Sequence, residues 1–420
     1  MKRIRGATRE TFRSLGSRNF RLFFSGQLIS QVGNWLTLVA QTLLVLHLTD
    51  SGVAVGVLAA CQFAPLLLFG AWTGLVADRS DKRKLLLIVQ VLAMVQSFAL
   101  AALAFSGNPP VWSIYLVAAV GGFAVAFDNP ARRAFVVEMV DEEDVQNAVS
   151  LNSALMTSSR VVGPALAGLL VHTVGFGWCF AVDGASYVAV LIGLWLMDPS
   201  RLRRPPVTPK ERGQVRAGLR YVRNVPELWF PLVMMAIIGT LAFNFNVVMP
   251  LFAMRSLGGD DGTFTLLLSV ISVGSLAGAL ATARRTTINL HDLVVAALGF
   301  GASMVLLAAA PSLPFAFPAA LVVGVTSISF LTGSTAIVQL RADPAMRGRV
   351  LALQAMVFLG STPIGGPILG LVCEVLGARY GLVLGAAACF AAAAVGLSAG
   401  RRAEAATRLR SAVAGELEPA

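Results

Sequence analysis

Gly74-Leu-Val-Ala-Asp78-Arg79-Ser-Asp81-Lys82-Arg83-Lys84 joins two apolar stretches, 53–76 and 84–106, each long enough to cross a bilayer. A small residue closes one helix, an acid stands four positions on, and a run of basic residues opens the next helix. A short cationic turn between two membrane-length segments belongs on the side of the membrane where Lys and Arg are retained.

Outward from this turn, apolar stretches of about twenty residues recur along the chain, the length that crosses roughly 30 Å of hydrocarbon. They fall near 20–48, 53–76, 84–106, 111–129, 150–172 and 177–197, and again near 228–254, 264–283, 291–310, 313–338, 350–373 and 378–399. The expected fold is all-α and membrane-embedded, with a tail at 1–19, a six-helix half at 20–197, a linker at 198–227, a second six-helix half at 228–399 and a tail at 400–420. The linker is polar, proline-broken and basic, and reads as ending in a surface helix. The first span is too long and wrongly flanked for a cleaved signal, so the N-terminus is expected to stay on the protein.

Composition excludes most other classes. The chain is 56% hydrophobic and 13% charged, with a mean hydropathy of +0.75, whereas soluble domains carry about a quarter charged residues. A net charge of +11 suggests nucleic acid, but the basic residues lie in short clusters between apolar segments and form no continuous face. With the termini inside, about thirty of the 33 Lys and Arg fall on one side, and the other side holds Arg255 and Arg379. Both termini are therefore expected in the cytoplasm. Cys61, Cys179, Cys373 and Cys389 lie inside apolar segments without metal-ligand spacing, so no metal or cofactor is indicated. A nucleotide-binding Gly-x4-Gly-Lys-Ser/Thr loop is absent, and no loop exceeds about thirty residues, which argues against an ATP-driven pump, an enzyme or a sensor with an output domain.

The halves repeat. Gly70-x3-Gly74 is matched by Gly274-x3-Gly278 at an offset of 204 residues, and Gly163-Pro164-x3-Gly168 by Gly366-Pro367-x2-Gly370 at 203.

The Gly74 to Lys84 turn resembles the signature loop of the major facilitator superfamily, Gly-x3-Asp-Arg-x-Gly-Arg-Arg, with Asp81 where Gly is usual. That resemblance implies a transporter of two parallel six-helix halves, gated by Gly74, Asp78, Arg79 and Arg83, whose loop latches the outward-open state. Arg160-Val-Val-Gly163-Pro164-Ala-Leu-Ala-Gly168 is similar to the Gly-Pro motif of antiporters and drug exporters, with its last spacing one residue longer. Gly163, Pro164, Gly168, Gly366, Pro367 and Gly370 are the expected close-packing positions. Segments 49–67, 126–135, 147–168, 243–253 and 347–356 resemble the branch containing the enterobactin exporter and related multidrug permeases. This implies proton-driven export of a drug, antibiotic, siderophore or amphipathic metabolite. Import or uncoupled facilitation is the alternative within the class, and a membrane sensor or receptor is the alternative outside it.

In the first span Gln27, Ser30, Gln31, Asn34 and Gln41 recur at helical spacing, and such amides avoid lipid. Gln27, Gln31 and Asn34, with Asn152, Ser159 and Arg160 in the fifth span and Asn244 and Asn246 in the seventh, are the expected cavity lining, or else bonds between helices. Arg160 needs an acid, carbonyls, water or an anionic ligand, or snorkels to the interface. Asp128, Asp183 and Glu374 are candidate partners, with Asp128 favoured by depth. No acid occupies the middle of the first, fourth or seventh spans, leaving Asp128 and Asp183 as candidate proton sites, with His47 a weaker one. Small-molecule substrates are expected to be neutral or anionic amphiphiles, handled by a monomer among membrane lipids in the plasma membrane.

Overall fold

A hydrocarbon environment leaves backbone polar groups no partner but one another, so apolar segments of this length close into helices. The computed structural model describes residues 11–203, 214–285 and 288–416. Among these there is no strand, and 12 helical stretches are long and apolar enough to span a membrane. The first six are α1 (Arg18–Thr49), α2 (Gly52–Arg79), α3 (Lys82–Phe105), α4 (Val111–Glu138), α5 (Val145–Val174) and α6 (Phe176–Trp195). A surface helix, α7 (Gln214–Asn224), ends the linker. The seventh span consists of α8 (Pro226–Leu241) and α9 (Phe245–Leu251), followed by α10 (Asp261–Ala283), α11 (Leu290–Ala308) and α12 (Leu313–Arg341). The eleventh is α13 (Pro344–Gly360) with α14 (Thr362–Val375), and the last is α15 (Ala378–Glu416). The basic residues at 2–9 and 204–212, which weigh in the charge count, lie outside the described residues.

Helix starts are set by side-chain caps. Ser51 accepts from the Ala54 N–H at 3.3 Å and Asp81 from the Lys84 N–H at 3.1 Å, starting α2 and α3. Asp81, which departs from the family loop, is thus the N-cap of the third span. Asp260 with Thr263 and Asn289 with Asp292 form reciprocal capping boxes for α10 and α11. The Thr263 N–H and hydroxyl hold the Asp260 carboxyl below the usual carboxylate value.

Three spans depart from the ranges read from sequence. The fourth runs on past Pro130 to Glu138, placing Arg132 inside a helix and not in a loop. The seventh breaks at Ala242–Asn244, ahead of Pro250, and turns wider again at Phe252–Ser256. The eleventh starts at Pro344 and is interrupted at Ser361.

The two sides of the membrane are packed differently. Away from the linker, one apolar core draws on both halves, from Leu43 and Leu58 to Phe252, Phe264 and Leu369. On the linker side the apolar core divides into a cluster from the first half around Phe20, Phe23 and Phe135, and another from the second half around Val222, Leu228 and Val350. The far side is closed and the linker side is parted.

The seam on the closed side is made by backbone contact between α2 and α14. A Cβ on Gly56 would lie 2.5 Å from the Gly366 carbonyl oxygen, and one on Gly52 2.8 Å from that of Gly370. Only glycines allow these chains to approach so closely.

Candidate substrate cavity and buried charge network

The fifth span changes its surroundings halfway along. Toward the far side Gly163 packs on Trp35 of α1, and a Cβ on Gly168 would overlap the Thr265 side chain of α10. Helical residues advance by about 100° each, so Ser150, Ser153, Thr157 and Arg160 share the sector of Pro164 and Gly168. Toward the linker side that sector is uncovered, with Ser150, Ser153 and Arg160 exposed and Thr157 half-buried. One face of α5 therefore seals the halves at one end and lines the gap between them at the other.

The hydroxyls of Ser150, Ser153 and Thr157 donate to the carbonyls of Gln146, Val149 and Ser153 at 2.8 to 2.9 Å, so lone pairs remain for a ligand. Asn152 is half-buried, and Ser159 is buried with its hydroxyl on the Met156 carbonyl. Arg160 has no carboxylate partner among the described residues. Asp128, expected beside it, is paired with Arg132 of its own helix, and Glu374 is held by Arg255.

Arg132, at 5% exposure, is the buried cation of this half, and it is the residue the sequence reading missed. Its guanidinium bonds both Asp128 and the Gln27 amide oxygen. The amide of Gln90 on α3 donates to Asp128 at 2.8 Å, and Gln31 donates to Gln27 at 3.3 Å. Asn34 bridges the Ser30 carbonyl and the Tyr187 hydroxyl at 3.2 and 2.8 Å. A charge pair at this depth needs its remaining donors and acceptors met, and here Arg132 Nε, the Gln27 amide nitrogen and the Gln90 amide oxygen stay buried without a partner in the structure. The structure thus places Gln27 on this pair, Gln31 on Gln27, and Asn34 on Ser30 and Tyr187, all within the first half. Asp183 lies further along α6, accepting from Thr37 at 2.6 Å and Ser97 at 2.7 Å.

The second half contributes aromatic surface. Where the seventh span breaks, Asn244 donates to the Thr240 carbonyl at 2.7 Å while its own amide oxygen stays buried and unpartnered. Asn246 follows in α9, half-buried. The interruption at Ser361 meets this break, because a Cβ on Gly239 would lie 3.0 Å from the Ser361 hydroxyl and one on Gly365 would overlap the Thr240 carbonyl. Around the break Phe243 packs edge-on to Phe245 and Phe358 and at a tilt to Phe300, with centroids 5.0 to 6.2 Å apart. Asn244 within an apolar run was the sequence signal for the break; the aromatic cluster had none, since its members come from three spans.

Polar contacts between the halves lie at the far end. Arg255 reaches the Asp50 carboxylate at 3.1 Å and Glu374 at 3.3 Å, and His47 meets Asp261 at 2.9 Å. At the linker end, Lys82 meets buried Glu138 of its own half at 2.7 Å, while Arg83 donates to the Leu194 and Trp195 carbonyls that end α6. Gly74 has open space around it and Asp78 lies half-buried in the last turn of α2.

Twelve spans and an apolar core that divides between the two halves on the linker side suit a transporter, and the comparisons agree. A bacterial homolog of the human lysosomal transporter Spinster, in an inward-facing and unoccupied conformation, superposes with a TM-score of 0.71 at 15% identity, covering 91% of this chain and 96% of that one. The staphyloferrin A transporter of Staphylococcus aureus is 23% identical over 85% of this chain and 90% of its own. Macrolide efflux protein A of Streptococcus pyogenes is 22% identical over 87% and 92%. The profile of the transmembrane secretion effector family matches residues 9–414. The chain belongs to that family of major facilitator transporters.

Proposed function

We propose that this transporter exports neutral or anionic amphiphilic small molecules across the plasma membrane by alternating access, driven by protons moving inward, with its linker and both termini in the cytoplasm. The observation that carries the reading is the bare sector of α5, where Arg160 and acceptor hydroxyls face the gap on the linker side. An uncompensated Arg in a span attracts an anionic or strongly accepting group. The half-buried rings at the helix breaks suit the apolar body of such a ligand. The names of the two relatives, one a staphyloferrin A transporter and the other a macrolide efflux protein, support amphiphilic cargo and outward movement. The excess of Lys and Arg on the linker side supports its cytoplasmic placement. The arrangement described is then the inward-open state of a monomer in its lipid bilayer. Asp128 and Asp183 remain the candidate proton sites, and the halves 20–197 and 228–399 are the bodies that rock.

The test is accumulation of a labelled macrolide and of a labelled permanent cation in cells expressing the protein. Energised cells should hold less macrolide than cells without it, and cation levels should be unchanged. Greater macrolide accumulation on energisation would establish an importer, and protection chiefly against the cation would remove Arg160 from the cavity.

A further inference from the structure

We propose that Asp183 is the proton-binding site of this transporter, a carboxylic acid loaded in the inward-open state, and that the polar column between it and Arg132 is its route to the cytoplasm. The inference rests on the proton-driven reading above and separates its two candidate acids.

The two acids differ in how their charge is met. Asp128 has a fixed counter-ion in Arg132 and a further donor in Gln90, which favours the ionised form. Asp183 is 1% exposed and has no cation in contact among the described residues. One oxygen, Oδ2, accepts from the Thr37 hydroxyl of α1 and the Ser97 hydroxyl of α3. The other, Oδ1, is buried without any donor. An ionised carboxylate would direct donors to both oxygens. A protonated one takes donors at one oxygen only, and at Asp183 both donors meet Oδ2.

Gly33 and Ser186 complete the site. A Cβ on Gly33 would overlap Oδ1 and lie 2.8 Å from the Ser186 hydroxyl, so both oxygens crowd the space that glycine leaves. Ser186 donates to the Asp183 carbonyl at 2.7 Å, so its hydroxyl proton is engaged while its oxygen keeps lone pairs for a proton carried by the carboxyl.

Among the described residues the charged groups nearest this acid lie toward the linker side, and one turn toward the far side α6 carries the buried thiol of Cys179. α1 presents Thr37 and Asn34, α3 presents Ser97 and Gln90, and α4 presents Asp128 and Arg132. Tyr187 of α6, one turn from Asp183, bonds Asn34. Tyr187, Asn34, Gln27 and the Arg132–Asp128 pair thus continue a polar column from the acid toward the cytoplasm. Binding is proton addition to a carboxylate and release is its reversal, so no other reactant enters.

The test uses the full chain in lipid nanodiscs and infrared difference spectroscopy across a pH titration, a readout that needs no substrate. The wild type should show the C=O stretch of a buried protonated carboxyl at neutral pH, and Asp183→Asn should lack it. Thr37→Val, which removes a donor to Oδ2, should keep the band and move its loss to higher pH. A wild type without the band, or Asp183→Asn retaining it, would overturn the assignment. In proteoliposomes, Asp183→Asn should keep downhill macrolide exchange but lose accumulation driven by a pH gradient. Loss of both together would make Asp183 a structural residue and overturn its carrier role. A wild type that moves no macrolide while showing the titrating band would refute the substrate reading and leave the proton site standing.

Discussion

Glu374, near the end of α14, accepts a 2.6 Å hydrogen bond from the backbone N–H of Gly52, the first residue of α2, so an acid of one half caps a helix of the other. That N–H is one of the orphan donors of a helix start and lies at the positive end of its dipole. The ion pairs of Arg255 with Glu374 and Asp50 are partly in solvent, Asp50 being 90% exposed, and add little alone. By the family resemblance Asp78, at the other end of α2, faces the start of the eleventh span when the linker side closes. With that helix beginning at Pro344, its free N–H groups lie in the turn ahead of the 350–373 range read from sequence. We propose that each central helix ends in an acid that caps the start of the other, Glu374 favouring the closed far side and Asp78 the closed linker side.

Replacing the far-side cap should release that side. A helix-start anion contributes about 0.3 to 2 kcal/mol, so Glu374→Gln should raise the outward-open population roughly two- to thirtyfold. Maleimide labelling of a cysteine placed at Thr49, in a chain freed of its four native cysteines, reads this as faster modification from the far side. Unchanged labelling would mean that the glycine seam alone holds the closure.

Asp78→Asn should act in the opposite sense, leaving abundance near normal while favouring the inward-open state and slowing transport. Asp81→Asn should change little, because Asn caps a helix as well as Asp does, whereas Asp81→Ala should cost about 1 kcal/mol of stability. Thermal denaturation and cytoplasmic-side cysteine accessibility distinguish gating from capping.

Two arginines of the first half should fail differently. Arg132→Ala leaves Asp128 buried without its counter-ion, a change that costs about 3 to 5 kcal/mol, so protein should be lost from the membrane. Adding Asp128→Asn should restore much of it. Arg160→Gln should leave abundance intact and weaken binding of an anionic amphiphile about tenfold or more, since a hydrogen bond to a charged group contributes about 1.5 to 3 kcal/mol. Immunoblots of membranes and binding titrations separate the two.

Among the glycines of the second span, Gly56→Ala should destabilise the inward-open state by about 1 to 3 kcal/mol, because its methyl meets the Gly366 carbonyl. Gly74→Ala should be tolerated in that state, where its methyl meets nothing within 4 Å. Melting temperatures of the two variants test the difference.

Span number was legible in the sequence because bilayer thickness acts on local composition. The matched glycines, by contrast, differ in surroundings: Gly274 and Gly278 meet the α12 backbone, while an added Cβ on Gly70 or Gly74 meets no neighbouring helix within 4 Å. The end of the fourth span was not legible. A proline ends most soluble helices, yet Pro130 sits inside α4, since in a membrane the carbonyl it frees is still best met within a helix. Arg132 was therefore read as a loop charge, and Asp128 was left for Arg160. The amides of the first span were legible as inward-facing, but whether they meet a cavity or another helix depends on Tyr187, Arg132 and Gln90, which no spacing along one helix reveals. Asp183 stood out as an acid in an apolar run, whereas its lack of a cation became visible only in three dimensions.

Alternating access about a far-side seam is the central claim, and tying that seam shut tests it most directly. Asp50→Cys with Arg255→Cys, whose parent side chains touch across the halves, can be joined by a short bis-maleimide in an otherwise cysteine-free chain. The joined protein should lose macrolide transport compared with the same variant left unjoined, while remaining inward-open, with a separate probe at Ser153 still reactive from the linker side. Transport by the joined protein at the unjoined rate would contradict the account.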